Sequence, residues 1–161
     1  MKKRIYACIC FMLICCSLFL KASTQQSVQV TTPDSSLEAK VLKAYRSGEY
    51  VVVDMLLRNV SRVDYTLSFS FINASRISVY DEIGNIYTKN IVGRFGNENN
   101  ALSIVPKALL PSGVPVRFSL FIPGISEEII FLPYINFGYC RPEGYDFNSW
   151  KMTVKNVKIV E

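Results

Sequence analysis

The sequence predicts an all-β protein, an antiparallel sandwich or barrel of about eight or nine short strands. Two observations support this prediction: apolar and polar residues alternate in several segments, and turn-forming residues separate those segments. A third is that no segment sustains the apolar spacing of an amphipathic helix. The segment "SLEAKVLKAY" has a helix-forming composition, but the turn that follows leaves it too short to favour a helix.

The clearest alternation is in "YTLSFSF", residues 65–71, where large apolar residues alternate with Thr and Ser. Successive side chains of a strand point to opposite faces, so one face of this segment is expected to be buried. "PVRFSLFI" follows the same pattern. We therefore predict that Leu67, Phe69, Phe118 and Leu120 belong to the core.

Further strands follow along the chain, and two of them carry irregularities. Pro133 cannot donate a ladder hydrogen bond, which predicts an edge or a bulge there. The apolar phase of the last segment slips by one residue after Val154, which predicts a β-bulge near Lys155 and Asn156. In chain order the predicted strands are YVVVDMLLR, YTLSFSF, RISVY, NIYTKNIV, LSIVPKALL, PVRFSLFI, EIIFLPYINF and WKMTVKNVKIV.

The stretch "YDEIGNIYTK" contains two adjacent carboxylates, Asp81 and Glu82, beside Gly84 and Asn85. A calcium loop needs more oxygen ligands at alternating positions, and an acid–base pair needs carboxylates that face each other across a cleft. Gly and Asn tolerate a positive φ, and Asp81 can accept hydrogen bonds from nearby backbone amides. The stretch is therefore predicted to be a hairpin turn.

The N-terminus has the layout of an export signal. Lys2, Lys3 and Arg4 precede the apolar run "IYACICFMLICCSLFL", which is short for a membrane-spanning helix. Cleavage after Ala22 is favoured over a lipid anchor at Cys15 or Cys16 and over an uncleaved membrane anchor. We expect an exported protein, periplasmic or secreted, that meets the membrane only through this signal or anchor.

Residues 1–22 also distort the overall composition. The full chain has a net charge of +5, but without this segment 14 basic residues face 13 acidic ones, a net charge of +1. The basicity therefore gives no reason to expect nucleic acid as a partner. Cys140 is then the one cysteine left, so no internal disulfide is predicted, and His is absent from the whole chain. The absence of His removes the commonest general base and metal ligand.

The predicted organisation has three parts. Residues 1–22 form the signal, the Ser-, Thr- and Gln-rich segment 23–36 forms a flexible polar leader, and residues 37–161 form one domain. A mature chain of about 139 residues can bury an adequate core without disulfides. We expect a monomer with no cofactor, no metal and no catalytic residue.

Three features in order resemble a known group of domains: "VVVDMLLRNVS", "VYDEIGNIY" and "LLPSGVPVRFSLFIPGIS". They resemble the immunoglobulin-like domains of small bacterial secreted proteins and lipoproteins, which are similar in architecture to the mycobacterial secreted immunoprotective antigen group. The resemblance covers roughly residues 38–125 and implies a single antiparallel immunoglobulin-like β-sandwich. Its motifs are signatures of a fold, and it implies no catalytic residues.

The segment 138–150 is the first candidate for a ligand site, with Tyr139, Tyr145, Asp146 and Trp150 as possible contacts. Aromatic faces beside polar groups hold sugars and peptides in many proteins. The alternative is that these rings close one end of the core. A second candidate is the loop "VGRFGNENN", and Cys140 is expected to be an inert residue at a strand end.

Three functions remain open from the sequence. The leading hypothesis is a noncatalytic exported module that binds an envelope protein, a glycan or a partner chain along a sheet edge. The second is a carbohydrate-binding or carbohydrate-active protein that uses the aromatic segment 138–150. The third is a structural envelope subunit assembled by strand exchange, with the leader 23–36 as donor. The fold alone does not distinguish them.

Residues 1–22 are expected to be absent from the exported protein, because a basic start followed by a short apolar run directs export and cleavage. Intact-mass measurement of the protein from an envelope fraction tests this. A mass that includes Met1 to Ala22 would contradict cleavage, and an added lipid mass would locate an anchor at Cys15 or Cys16.

Overall fold

The computed structural model describes residues 27–97, 99–141 and 150–160, and these residues form eleven strands and no helix. No helix able to cross a membrane occurs in those ranges. The all-β prediction is confirmed, while the predicted signal 1–22 lies outside the described residues. The strands are β1 (Gln29–Thr31), β2 (Leu37–Ser47), β3 (Tyr50–Asn59), β4 (Tyr65–Ser70), β5 (Ile77–Tyr80), β6 (Ile86–Tyr87), β7 (Val92–Phe95), β8 (Lys107–Leu110), β9 (Pro115–Pro123), β10 (Phe131–Cys140) and β11 (Lys151–Val160).

The strands form one curled sheet whose main path runs β6-β5-β10-β11-β2-β3-β9-β7. β1 pairs with β11, and β4 pairs with β10 and β8. The pairs are antiparallel except for β11 with β2, which run parallel through Ile159–Ala44 and Val160–Tyr45. The sheet is therefore mixed, and the prediction of an entirely antiparallel fold is wrong at this pair.

Two strands lie where the sequence did not predict them. β1 falls within the segment 23–36 that was predicted to be a polar leader, and β2 occupies the segment with helix-forming composition. β1 has three residues and β6 has two, which is too short for an alternating pattern to be recognised. Besides β1 and β2, the predicted strand NIYTKNIV is divided into β6 and β7, which gives eleven strands where about eight or nine were expected.

One junction of the curled sheet is made by residues 103–106. Ser103 exchanges two backbone hydrogen bonds with Gly93 of β7, at 2.8 and 2.9 Å. The amide of Phe71, just after β4, donates to the carbonyl of Ile104 at 2.9 Å. The segment thereby joins β7 to β4 and brings the two ends of the sheet together.

The other junction, between β11 and β2, is short. β11 pairs with β2 through its last two residues, while residues 153–155 of the same edge pair with β1. Between them lies Asn156, whose φ of 61° is in the left-handed region that Asn tolerates better than most residues. Val154 and Val157 are both buried, so the phase slip after Val154 is confirmed. The register with β10 is the same on both sides of Asn156, which lies opposite the likewise unpaired Pro133, so the predicted β-bulge with an extra residue in β11 alone is not found there.

Arg46, near the end of β2, fixes the surroundings of that junction. Its guanidinium donates to the carbonyls of Ile125, Ser126 and Ile129 at 3.1, 2.6 and 2.7 Å. The next residue in that loop, Ile130, accepts a hydrogen bond from the amide of Ile159 at 2.9 Å. One side chain thus ties β2 to the loop that also holds the end of β11.

The core is centred on the ring of Phe69. Leu67, Phe69, Phe118 and Leu120 are all fully buried, which confirms the strand phases predicted from alternation. Burial of several aromatic rings supplies a large apolar area from few residues. Ring centroids at 4.5–6.3 Å from that of Phe69 belong to Phe71, Phe95, Phe118, Phe137 and Tyr139.

Gly93 is required by this cluster. A Cβ at this position would lie 2.8 Å from ring atoms of both Phe118 and Phe71, closer than carbon atoms pack. The β7 backbone can therefore approach the rings only because residue 93 has no side chain.

Phe69→Ala is expected to cost about 3–5 kcal/mol of unfolding free energy, because it removes the central ring of the cluster and leaves a cavity. Denaturant unfolding of the mature chain measures this. Ile83→Ala is the control, since its side chain is 73% exposed and its loss should stay within about 0.5 kcal/mol. A cost for Phe69→Ala below about 1 kcal/mol would contradict the central position of this ring.

Candidate functional site

The hairpin between β5 and β6 is organised by Asp81. Its carboxylate accepts hydrogen bonds from the amides of Ile83 and Asn85 at 3.1 and 2.8 Å, and from the Asn85 side chain and the Tyr87 hydroxyl at 2.8 Å each. Glu82 points elsewhere and accepts from the amide of Ile130 at 3.0 Å. Both oxygens of Asp81 are thus used within the turn, which confirms the hairpin interpretation.

These contacts change the acidity of Asp81. Burial raises its pKa, but hydrogen bonds from Asn85, Tyr87 and the backbone amides lower it by more, so the pKa lies below its usual value. Over the described ranges, no three Cys, Asp or Glu side chains are grouped closely enough to hold a metal ion.

The structure describes two of the four predicted ligand contacts in the segment 138–150, and these two differ in exposure. Tyr139 is fully buried, with its ring 5.7 Å from that of Trp150. Trp150 is 36% exposed and can be reached from solvent. Tyr139 therefore closes this end of the core, as the alternative interpretation of the segment expected. Tyr145 and Asp146 lie outside the described residues and stay predictions.

Arg141 organises the same end of the molecule. Its guanidinium carbon lies 3.9 Å from the centroid of the Tyr65 ring and 5.6 Å from that of Trp150. It also forms an ion pair with Asp34, which belongs to the turn between β1 and β2. Burial raises the pKa of Asp34, but hydrogen bonds from Arg141 and Ser36 outweigh it and lower the pKa.

Cys140 is a buried residue of β10. Burial raises the pKa of its thiol, and the charge of Arg76 offsets only part of this effect. A thiol with a raised pKa is mostly protonated at neutral pH and is a poor nucleophile. Its environment agrees with the inert thiol expected from the sequence.

The second candidate segment, 92–100, is a loop only in part, because Val92–Phe95 form β7. Its residues Arg94, Asn97 and Asn99 border a polar recess on the outer face of β3, β9 and β7. The buried carboxylate of Asp54 is held by Arg117 and accepts a hydrogen bond from Ser119 at 2.6 Å. The recess beside it has a volume of about 380 Å³ and also includes Arg94 and Asn97. The Asp54 carboxylate already has two partners, Arg117 and Ser119, and these contacts hold β3 to β9.

A groove beside β2 has a volume of about 630 Å³. We call it the β2 groove. One wall is formed by Val30 of β1 and the following Thr31 and Thr32, and the other by residues 37–40 of β2. Leu56, Arg58 and Pro115 complete the lining.

The β2 groove runs beside an open backbone edge. The carbonyl of Ser36 accepts a hydrogen bond from Val60 on the β3 side, and backbone groups of a strand alternate in direction. The backbone N–H and C=O groups of Leu37, Ala39 and Val41 therefore face away from β3. Those of Leu37 are used, because its amide donates to the Asp34 carbonyl and its carbonyl accepts from the Thr32 hydroxyl, at 3.1 and 2.9 Å.

Between Ala39 and Lys43 no described strand is hydrogen-bonded to this edge, although β1 lies near it. β11 reaches β2 only at Ala44 and Tyr45, and β1 pairs with β11 instead. Within the part of the chain that the structure describes, Ala39, Lys40, Val41 and Lys43 pair with β3 alone, and Leu42 is left unpaired where the register with β3 shifts. We call the gap between these residues on one side and β1 and β11 on the other the seam.

The β2 groove and the seam were not predicted from the sequence. Both follow from where β11 leaves β2, and that depends on a pairing between segments more than a hundred residues apart. The one available signal was the phase slip at Lys155 and Asn156, which did not indicate that β1 pairs with β11 before it and β2 after it.

Comparison with protein-family models, with curated proteins and with solved structures finds no match to this chain. The function must therefore be argued from the geometry of the molecule itself.

Asp81→Asn is expected to lower the melting temperature at pH 7 and to lose its effect in acid. The folded-state pKa of Asp81 is below its unfolded value, so the stability it contributes is present above the unfolded pKa and is lost as pH falls through the folded one. Melting curves between about pH 7 and pH 2 measure this. Glu127→Gln, at an exposed loop position, is the control.

Calcium should leave the melting temperature of the unmodified protein unchanged, because only a ligand that binds the folded state adds stability. A penalty for Asp81→Asn that is constant across pH would contradict the account of its pKa. A rise with calcium that disappears in Asp81→Asn would contradict the turn.

Proposed function

We propose that the protein is an exported, noncatalytic binding module that holds an extended segment of a partner protein in the β2 groove. The observation that carries this proposal is the unpaired backbone edge of β2, residues 39–43, beside a groove of about 630 Å³. An extended chain that adds to a sheet edge gains main-chain hydrogen bonds, and side-chain pockets give it specificity.

The lining of the β2 groove suits such a segment. Val30, Leu37 and Ala39 provide apolar surface on the side facing the core, and Leu56 and Pro115 provide it on the outer side. A bound strand alternates its side chains between two faces, so apolar residues would face the core side. Each new main-chain hydrogen bond would contribute a net stabilisation of about 0.5–1.5 kcal/mol.

The chemistry of the chain supports a noncatalytic role. It contains no His. The carboxylates with lowered pKa, Asp34 and Asp81, both accept hydrogen bonds that hold turns in place. The Cys140 thiol is buried with a raised pKa. Among the described side chains, these arrangements stabilise the fold and leave no activated nucleophile or base.

Export is supported by the sequence of residues 1–22, with its basic start and apolar run. The immunoglobulin-like sandwich is the finer proposal for the fold. In support, β2, β3, β9 and β7 lie on one side of the aromatic core, β10, β4 and β5 lie on the other, and β11 belongs to both groups. This agrees with the resemblance to immunoglobulin-like domains of small bacterial secreted proteins.

A glycan at the aromatic end receives less support. Tyr139 is buried, and the Tyr65 and Trp150 rings are both close to the Arg141 guanidinium. The adjoining recess, with a volume of about 380 Å³, offers Asp64 and Tyr65 as polar contacts. This second possibility predicts glycan binding that depends on Trp150 and is independent of the β2 edge.

The test is a selection of displayed ten-residue peptides on the mature chain, 23–161, followed by binding to two proline variants. Ala39→Pro removes an amide that faces the seam, and proline is tolerated where an edge amide is unpaired. Leu109→Pro is the matched control, because the amide of Leu109 faces away from β4 on the exposed edge of β8. Selected peptides should bind the unmodified chain and Leu109→Pro and should bind Ala39→Pro at least about tenfold more weakly.

Equal binding to both variants would contradict edge pairing at β2. Melting curves of the two variants establish that each is folded. If no peptide is enriched while a glycan array shows binding that Trp150→Ala abolishes, the aromatic end is the site.

A further inference from the structure

The charges that flank the seam point to the kind of segment it accepts. Four exposed lysines lie along its two sides: Lys40 and Lys43 on β2, and Lys155 and Lys158 on β11. Lys43 and Lys158 directly precede Ala44 and Ile159, which pair with each other. These two lysines therefore flank the closed end of the seam.

Three acidic side chains near these lysines are held by arginines, while Glu127 and Glu128 lie exposed in the loop bound to Arg46 and Ile159. Glu38 lies on the β2 groove, 3.9 Å from Arg58, so its charge is balanced locally. Asp34, in the turn that joins the two walls of the β2 groove, is bound to Arg141. Asp54, on the outer face of β3, is buried and bound to Arg117. The surroundings of the seam therefore carry an excess of positive charge.

β1 provides a pattern within the same molecule for a strand at this position. Its central residue, Val30, is partly buried against the core, while Gln29 and Thr31 on either side are exposed. Gln29 pairs with Lys155. A further strand beside β2 would likewise turn alternate residues toward Ala39 and Val41 and the others toward the lysines.

We propose that the seam accepts an extended segment of a partner protein whose inward residues are apolar and whose outward residues are acidic. This inference rests on the proposed function and adds the chemistry of the partner to it. Opposite charges on directly opposed residues stabilise a strand pair, and like charges destabilise it. The alternative role of edge lysines is to repel other strands of any kind, and the experiment separates the two.

The probes are three synthetic nine-residue peptides in which Val alternates with Glu, with Gln or with Lys. The Val–Glu peptide should bind the mature chain about tenfold more tightly than the Val–Gln peptide, and the Val–Lys peptide should bind most weakly, because complementary charge favours association. Binding of the Val–Glu peptide should weaken as NaCl is raised, since salt screens exposed charges. Fluorescence anisotropy of labelled peptides measures both effects.

Lys40→Glu should narrow the difference in affinity between the Val–Glu and Val–Lys peptides, because three of the four lysines remain. Lys151→Glu is the matched control, because Lys151 is exposed on β11 but pairs with Gly138 at the far end from the seam. Lys151→Glu should leave the difference in affinity between the Val–Glu and Val–Lys peptides unchanged. Ala39→Pro should abolish binding of the Val–Glu peptide.

Each other outcome overturns the inference. Equal affinity for all three peptides, lost in Ala39→Pro, would refute the acidic preference and leave edge binding intact. Binding of the Val–Glu peptide that survives Ala39→Pro would be charge attraction elsewhere. If none of the three binds, the inference is wrong and the lysines serve to repel other strands. The proposed function is then decided separately, by the outcome of the peptide selection. Concentration-dependent self-association that Ala39→Pro removes would make a second copy of this chain the occupant.

Discussion

Strand β11 imposes the constraint on which the rest of the architecture depends. Along one edge it is paired with β10 between Lys151 and Lys158, except at Asn156. Its other edge is divided between β1 at residues 153–155 and β2 at residues 159–160. A backbone group can pair with only one neighbour, so β2 cannot follow β11 where β1 is already bound. The open edge of β2 is the geometric result of this division.

The aromatic cluster explains why the sheet tolerates so short a junction. Phe69, Phe118 and Phe137 come from β4, β9 and β10, and their rings lie within 4.5–6.3 Å of one another. The two sides of the curled sheet are therefore held by packing in the middle and by residues 103–106 at the far junction. Arg46 holds the near junction through three carbonyls. The seam can stay open because the stability of the fold does not depend on pairing there.

Alternation in the sequence was sufficient to predict the phases of the long strands, because a strand with one buried face has a period of two residues. It located Phe69 and Phe118 in the core and the phase slip between Val154 and Val157. It was not sufficient for β1, which has only three residues, or for β2, whose outer edge is half exposed and lacks a regular pattern.

The same holds for the candidate contacts: what depends on neighbouring residues in the sequence could be predicted, and what depends on residues far apart could not. Ile135 and Phe137 alternate into the core, and Tyr139 continues that phase, so its burial follows from the strand and not from the aromatic composition of the segment after it. The pairing of Asp34 with Arg141 joins residues 107 positions apart, and no local pattern records it. The β2 groove depends on such distant pairings and could not be predicted from the sequence.

The placement of β1 has a mechanical consequence. The chain enters the described fold at Ser27, two residues before β1, and β1 is attached by three residue pairs to β11 and, through the turn at Asp34, to Arg141. A pulling force applied at that end would load these few contacts first and reach Phe69 and its neighbours only after they break. β1 would then detach first under tension, while the remainder of the sheet keeps its structure.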